Sequence, residues 1–194
     1  MSRMRLCPLQ LLLLCLTAGC SSPPVRYYVL SRVNAAVPRA AAVDNLALRV
    51  DRVRVPSELD RSQLVSRIDA NRVRVAATSR WAAPLDEMIR RVLSADLAVR
   101  LPPGLILDPY QPVAAGQARS LTVDVQEFYG DAQCAVSLRA AWLLTQPDGL
   151  ALRATEEVHV APAGKCPDAL AATMSEALGQ LSDRIAAAAA RSRS

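Results

Sequence analysis

Few side chains in this chain could do covalent or acid–base work, and their spacing limits what that work can be. There are five cysteines (Cys7, Cys15, Cys20, Cys134 and Cys166) and a single histidine, His159. The two late thiols and one distant imidazole fall short of the four-ligand set of a structural zinc site, so no metal is expected. Glu156 and Glu157 are neighbours. In a strand they point to opposite faces and do not converge as an acid–base pair. Asp124 and Glu127 are the remaining candidates for hydrolysis, but carboxylates on an exposed strand face are ordinarily solvated structure. The chain has no Gly-x-Ser-x-Gly elbow, Gly-rich phosphate loop or zinc motif. The expectation is a protein that is not an enzyme, with no catalytic residue.

Cys20 is the residue with a specific covalent fate. Arg3 and Arg5 precede an apolar run containing Leu9 and Leu11 to Leu14, and the segment closes Leu16-Thr17-Ala18-Gly19-Cys20. A positive start, a short apolar core and small residues before a cut site make a secretory signal. The core is about ten residues, too short to cross roughly 30 Å of hydrocarbon as a helix. Cys20 after Ala-Gly resembles the bacterial lipobox, in which the thiol receives diacylglycerol, the chain is cut before the cysteine, and the new amine is acylated. Thr17 departs from the commoner Leu, which stands one place earlier as Leu16. An ordinary signal peptide with an incidental cysteine is the other reading. On the first reading, residues 1–19 are the signal and residues 20–26 a lipid-anchored tether. No cofactor is expected beyond the covalent lipid on Cys20. Several acyl chains on one residue hold stably where one chain holds weakly. No later segment has about 18 consecutive apolar residues, so a membrane-spanning helix is not expected. Ser21 follows Cys20. Asp at that place resembles an inner-membrane retention signal in enteric lipoproteins, so Ser21 favours the outer membrane. Residues 21–25 reach roughly 17 Å when extended, so the domain must lie close to its bilayer.

Removing the signal leaves 175 residues (194 minus 19), a one-domain length. With 52% apolar residues the chain can build a real core. Net charge is +5, or +3 without Arg3 and Arg5. The pI near 9.3 does not indicate nucleic acid, because the arginines are dispersed and the chain carries an export signal. A mildly basic face could meet anionic headgroups. Cys7 and Cys15 leave with the signal. Cys134 and Cys166 remain in an oxidising compartment, where pairing is expected and two reduced thiols are the alternative. A bridge closing about 32 residues contributes roughly 3–4 kcal/mol in the chain-entropy model.

The elements that would position these residues follow from periodicity. A strand-like segment starts at Tyr27. Residues 34–43 are Ala- and Pro-rich without period and read as a loop. Leu46, Leu48 and Val50 alternate with Ala47, Arg49 and Asp51, then Val53 and Val55 continue out of phase. That slip predicts a bulge near Asp51-Arg52. Residues 63–68 and 72–76 read as a hairpin. Pro84, Asp86 and Glu87 suit a helix start, and Leu85, Met88, Ile89, Val92, Leu93 and Leu97 form its apolar stripe. A short strand at 105–107 is expected. Strands near 121–126, 134–145 and 150–160 form a meander, turning at Gly130-Asp131 and Pro147-Asp148-Gly149. A final helix spans about 168–190. The expected class is α+β, a single domain with a mostly antiparallel sheet and two main helices packed on one face.

Several segments in this order resemble the PqiC/YmbA family of ABC-type transport auxiliary lipoproteins. They are Tyr27-Tyr28-Val29-Leu30, then Val53-Arg54-Val55-Pro56 with residues 59–65, then Arg80-Trp81-Ala82-Ala83-Pro84-Leu85-Asp86, and last Val123-Asp124-Val125 with Phe128 and Ala140-Ala141-Trp142. The Trp-x-x-Pro-Leu-Asp segment is the most specific. The resemblance implies that residues 27–190 are such a domain, with 191–194 a tail. It also implies an outer-membrane lipoprotein facing the periplasm. The implied partners are an MCE-domain protein with its inner-membrane permease and ATPase, outer-membrane lipids, and copies of the chain in a ring. MCE assemblies form hydrophobic conduits for lipid. The Cys134/Cys166 pair is not expected throughout the family. Tyr27 and Tyr28 alternate faces, so one is expected in the core and the other free to touch lipid or a partner. Trp81 reads first as a hydrophobic staple at the helix start and second as a contact. An assembly or plug lipoprotein for an outer-membrane barrel is the competing reading.

Overall fold

The computed structural model describes residues 23–34, 47–112, 114, 116–166 and 168–191. The expected signal peptide, Cys20 and Ser21, most of the 34–43 loop, Leu46 and residues 192–194 lie outside the described residues. The elements are β1 (Arg26–Tyr28), β2 (Leu48–Arg54), β3 (Gln63–Asp69), β4 (Arg72–Trp81), α1 (Leu85–Arg100), β5 (Arg119–Gly130), β6 (Val136–Thr145), β7 (Ala151–Val160) and α2 (Leu170–Arg191).

One sheet runs in the order β1-β4-β3-β5-β6-β7, and β2 lies beside the first half of β5. The α+β single domain stands, but the sheet is mixed, not mostly antiparallel. β1 with β4, β2 with β5 and β3 with β5 are parallel. Hairpin neighbours β3/β4, β5/β6 and β6/β7 are antiparallel. The difference has a topological cause. A short turn forces antiparallel pairing, whereas β2 returns beside β5 only after a long crossover through β3, β4 and α1, which permits parallel pairing.

The β2 register shifts between Val50 and Arg52. That bulge lets Leu48, Val50 and Val53 all face the helices, and all three are buried. Segment 105–107 makes one parallel bridge, Ile106 with Leu48, instead of a strand. The covered sheet face carries Leu121, Val123 and Val125 on β5, Leu138, Ala140, Trp142 and Leu144 on β6, and Val158 on β7. Against it lie Leu93 and Leu97 of α1 and Leu178, Leu181 and Ile185 of α2. Each large side chain so buried contributes about 1.5–3 kcal/mol of transfer free energy.

Pro84 stands just before the first helical residue with φ −51° and ψ 135°, so its missing N–H costs the helix nothing. Cys134 sits in the β5–β6 turn with φ 63°. There the Asp131 carboxylate accepts the N–H groups of Gln133 and Ala135 at 2.8 and 2.9 Å. A disulfide joins Cys134 to Cys166, with 5.6 Å between their Cα atoms. It ties this turn to the segment that leads into α2.

Candidate functional site

The two ends of β5 divide the domain. At the Gly130 end lie the β3–β4 hairpin and the start of α2, for a Cβ on Gly130 would strike the Leu170 side chain. At the Arg119 end lie the β6–β7 turn, since Ser120 pairs with Thr145, and the last turn of α2. Twelve residues of β5 at about 3.3 Å each place these ends roughly 40 Å apart.

The N-terminal lead belongs to the first end. β1 lies along β4, and the Ala82 N–H donates to the Tyr28 carbonyl at 2.9 Å. Arg26 pairs with Asp168 at 3.1 Å, and the Tyr28 hydroxyl donates to the same carboxylate at 3.4 Å. Tyr28 packs against the core, whereas Tyr27 is 67% exposed. Trp81 is buried in the core cluster ahead of α1, so it offers little surface to a partner. Of the three expected contact residues, only Tyr27 is freely presented.

Beyond β1 the chain crosses the two helices. Leu30 is buried, and the Ser31 N–H donates to the Ser175 hydroxyl at 3.0 Å. The Val33 N–H donates to Asp96 Oδ1 at 2.9 Å. Arg100 Nε donates to Asp183 at 2.6 Å, and its Nη1 donates to the carbonyls of Asp96 and Val33 at 3.0 and 3.3 Å. Asp96 and Arg100 are almost wholly buried. Burial pushes the Asp96 carboxyl up to about 6, against the Val33 N–H and the Arg100 charge. Gly179 lets this lead approach α2, because a Cβ there would stand 3.1 Å from Val33 Cβ. An Asp and an Arg four residues apart on one helix was the signal in the sequence. Apolar periodicity passes over it because Leu93 and Leu97 flank it.

A second polar cluster fixes the hairpin to the sheet. Arg67 Nη1 donates to Glu127 at 2.9 Å, and its guanidinium lies 4.4 Å from the Tyr129 ring centroid. The Tyr129 hydroxyl donates to Glu58 at 2.9 Å, and burial pushes that phenol up to about 12.

The far end carries exposed apolar residues. Leu150 is 62% exposed, and Leu143 and Leu152 are also exposed. A groove of about 490 Å³ between β7 and α2 is floored by Trp142, Leu152 and Ala154 and rimmed by Arg153, Arg184 and Arg191. A shallow concavity of about 500 Å³ lies on the uncovered sheet face around Thr122, Ala141 and Leu143. Trp142 lines both, and its buried indole N–H has no hydrogen-bond partner among the described residues. This patch was missed from sequence because Leu150 and Leu152 sit in phase with the core. β7 is an edge strand, so α2 leaves a groove along its first half instead of covering it.

The carboxylates considered for chemistry are dispersed in ion pairs or on the surface. Glu156 pairs with Arg184 at 2.9 Å, and Glu157 with Arg139 at 3.5 Å. Asp124 lines the open-face concavity, and His159 shares a hydrogen bond with Ser137 at 3.1 Å. No cluster of three metal-ligating side chains occurs among the described residues. No described helix is long and apolar enough to cross a membrane.

This mixed sheet under two helices belongs to the ABC-type transport auxiliary lipoprotein component family, whose model matches residues 28–186. Among curated relatives is "Intermembrane transport lipoprotein PqiC" of Escherichia coli (strain K12), 33% identical over 138 residues, which cover 70% of this chain and 72% of the relative. The protein of the same name in Shigella flexneri matches equally. A crystal structure of a protein of uncharacterised function aligns with TM-score 0.73 and 25% identity, over 86% of this chain and 99% of that one. Protein XCC0632 from Xanthomonas campestris shares the fold, with TM-score 0.67 and 16% identity over 84% of this chain and 93% of its own.

Proposed function

We propose that this chain is an outer-membrane lipoprotein, anchored through Cys20 and facing the periplasm, that docks the conduit of an intermembrane lipid-transport system. Its partners on this reading are an MCE-domain protein and, through it, an inner-membrane permease and ATPase. A ring of copies would set several distal patches around one axis. The observation that carries the reading is polarity. The tethered lead enters at one end of β5, and the exposed Leu143, Leu150 and Leu152 lie at the other. α2 runs between these ends, and its 22 residues span about 33 Å. A short tether and a rigid body of this length hold an apolar surface a fixed distance from the membrane, as a docking part requires. The likeness to a relative named for intermembrane transport supports the same reading.

The test combines location with partner loss. The full chain, tagged at its C-terminus and expressed at native level, is followed through density-gradient separation of the two membranes. The proposal expects it with the outer membrane and expects Cys20→Ser to release it. Leu150→Glu with Leu152→Glu keeps the protein in place and abolishes co-purification of the conduit. Sedimentation with the inner membrane, or undiminished co-purification by the double variant, contradicts the proposal.

A further inference from the structure

Strand direction bears on which side of the domain meets lipid. β1 runs parallel to β4, with Arg26 opposite Ser79 and Tyr28 opposite Trp81. Read backwards from Arg26, the chain therefore heads toward the Arg72 end of β4, the tip of the β3–β4 hairpin. Arg26 is six steps along the chain from Cys20, and Ser79 is six from Val73. At about 3.3 Å per extended residue both runs are roughly 20 Å. Cys20 is three peptide steps from Pro23, at most about 11 Å whatever the path. A lead that keeps this direction puts the anchor on the side of the domain that carries the hairpin tip.

The tip has the composition of an interfacial element. Beyond β1, the outer edge of β4 has no strand beside it among the described residues. Val73 and Val75 share one face of that edge and are 44% and 41% exposed; Ile68 on β3 is 46% exposed. Arg72 and Arg74 alternate with the valines and are exposed. Arg72 pairs with Asp69 at 2.6 Å, also in solvent. Exposed β-branched residues on an unpaired edge invite unwanted strand pairing unless something covers them. Apolar side chains at the acyl boundary with arginines reaching phosphate is the arrangement by which surface elements sit in a bilayer. The Arg67, Glu127 and Tyr129 contacts hold the stem to the sheet, so the tip moves with the domain.

We infer that the β3–β4 tip is a second membrane contact beside the lipid anchor. Ile68, Val73 and Val75 enter the headgroup layer of the bilayer that holds the Cys20 acyl chains, and Arg72 and Arg74 meet anionic phospholipid there. This rests on the reading of Cys20 as the lipidated residue. Two contacts fix orientation where one tether leaves the domain free to swing. Together they turn the Leu150 end away from the membrane.

The test uses the full acylated chain carrying Val75→Cys or, as the distal control, Leu150→Cys, each labelled with an environment-sensitive fluorophore. The Cys134–Cys166 bond leaves the introduced thiol as the reactive one. The protein is reconstituted into vesicles of phosphatidylethanolamine with phosphatidylglycerol as the minor component, and flotation of the same sample measures anchoring separately. The expected result is label emission at position 75 that is blue-shifted and quenched by lipid-borne nitroxides severalfold more than at position 150. Arg72→Gln and Arg74→Gln each weaken that contact about fivefold. Vesicle-bound protein whose two labels are quenched equally overturns the hairpin contact and leaves the anchor standing. Protein that does not float removes the anchor reading and the hairpin contact with it.

Discussion

Asp96 offers a test with a sign as well as a size. Its carboxylate is buried between α1, α2 and the N-terminal lead. One oxygen accepts the Val33 N–H, and the other has no hydrogen-bond partner among the described residues. The charged groups around it are Arg100, Asp183 and Arg32. Burial raises the carboxyl from 3.8 to about 6 in the folded state. At about 1.36 kcal/mol per unit, ionising it in place costs on the order of 2–3 kcal/mol. Below about pH 4 both states hold the proton and nothing is lost. Between about pH 4 and 6 the folded state holds more protons than the unfolded, so stability falls as pH rises, and above about pH 6 the loss is constant. Asp96→Asn keeps an acceptor for Val33 and removes the titration. Urea unfolding of parent and variant, followed by tryptophan fluorescence from pH 4.5 to 8, should give a difference that opens in the variant's favour between about pH 4.5 and 6.5. It should reach about 1–3 kcal/mol and then level off. The fixed offset reports the amide's own contacts; the slope reports Asp96. A difference curve flat across this range refutes the reasoning.

Other perturbations separate the parts of the fold. Arg100→Met leaves Asp96 and Asp183 without their guanidinium and should cost about 3–5 kcal/mol in urea unfolding at pH 7; adding Asp96→Asn should recover part of it. Gly179→Leu should displace the lead from α2, read as faster amide hydrogen exchange at Ser31 and Val33 with the β5–β6 amides unchanged. Cys134→Ala with Cys166→Ala should lower stability by about 3–4 kcal/mol under oxidising conditions, and the difference should vanish in reductant.

Local pattern carried much of this fold. The phase slip at Asp51-Arg52 marked the β2 bulge, the turn residues marked the β5–β6–β7 meander, and two apolar stripes marked the helices. Period-2 alternation separated Tyr27 from Tyr28. Parallel pairing was not legible, because nothing near Leu48 in sequence states that Arg119 will lie beside it; that choice is made by the crossover and by burial of both strands under α1 and α2. The buried Asp96–Arg100–Asp183 set was illegible for a related reason. Its third member and the Val33 amide come from distant parts of the chain, so only Asp96 and Arg100, one helical turn apart, were visible together. The exposed far end was hidden because Leu150 and Leu152 repeat the core's alternation, and exposure at an edge strand depends on how far across the sheet the covering helix reaches.

The docking claim is tested most directly by crosslinking whole cells that express the tagged chain at native level, solubilising gently, and identifying captured proteins by mass spectrometry, with a photoreactive residue at Leu150 to confine the contact to the distal end. The account predicts enrichment of an MCE-domain protein over abundant lipoproteins. Capture of an outer-membrane barrel with no MCE-domain protein, while control lipoproteins crosslink to their own partners, would contradict it and favour a role in barrel assembly.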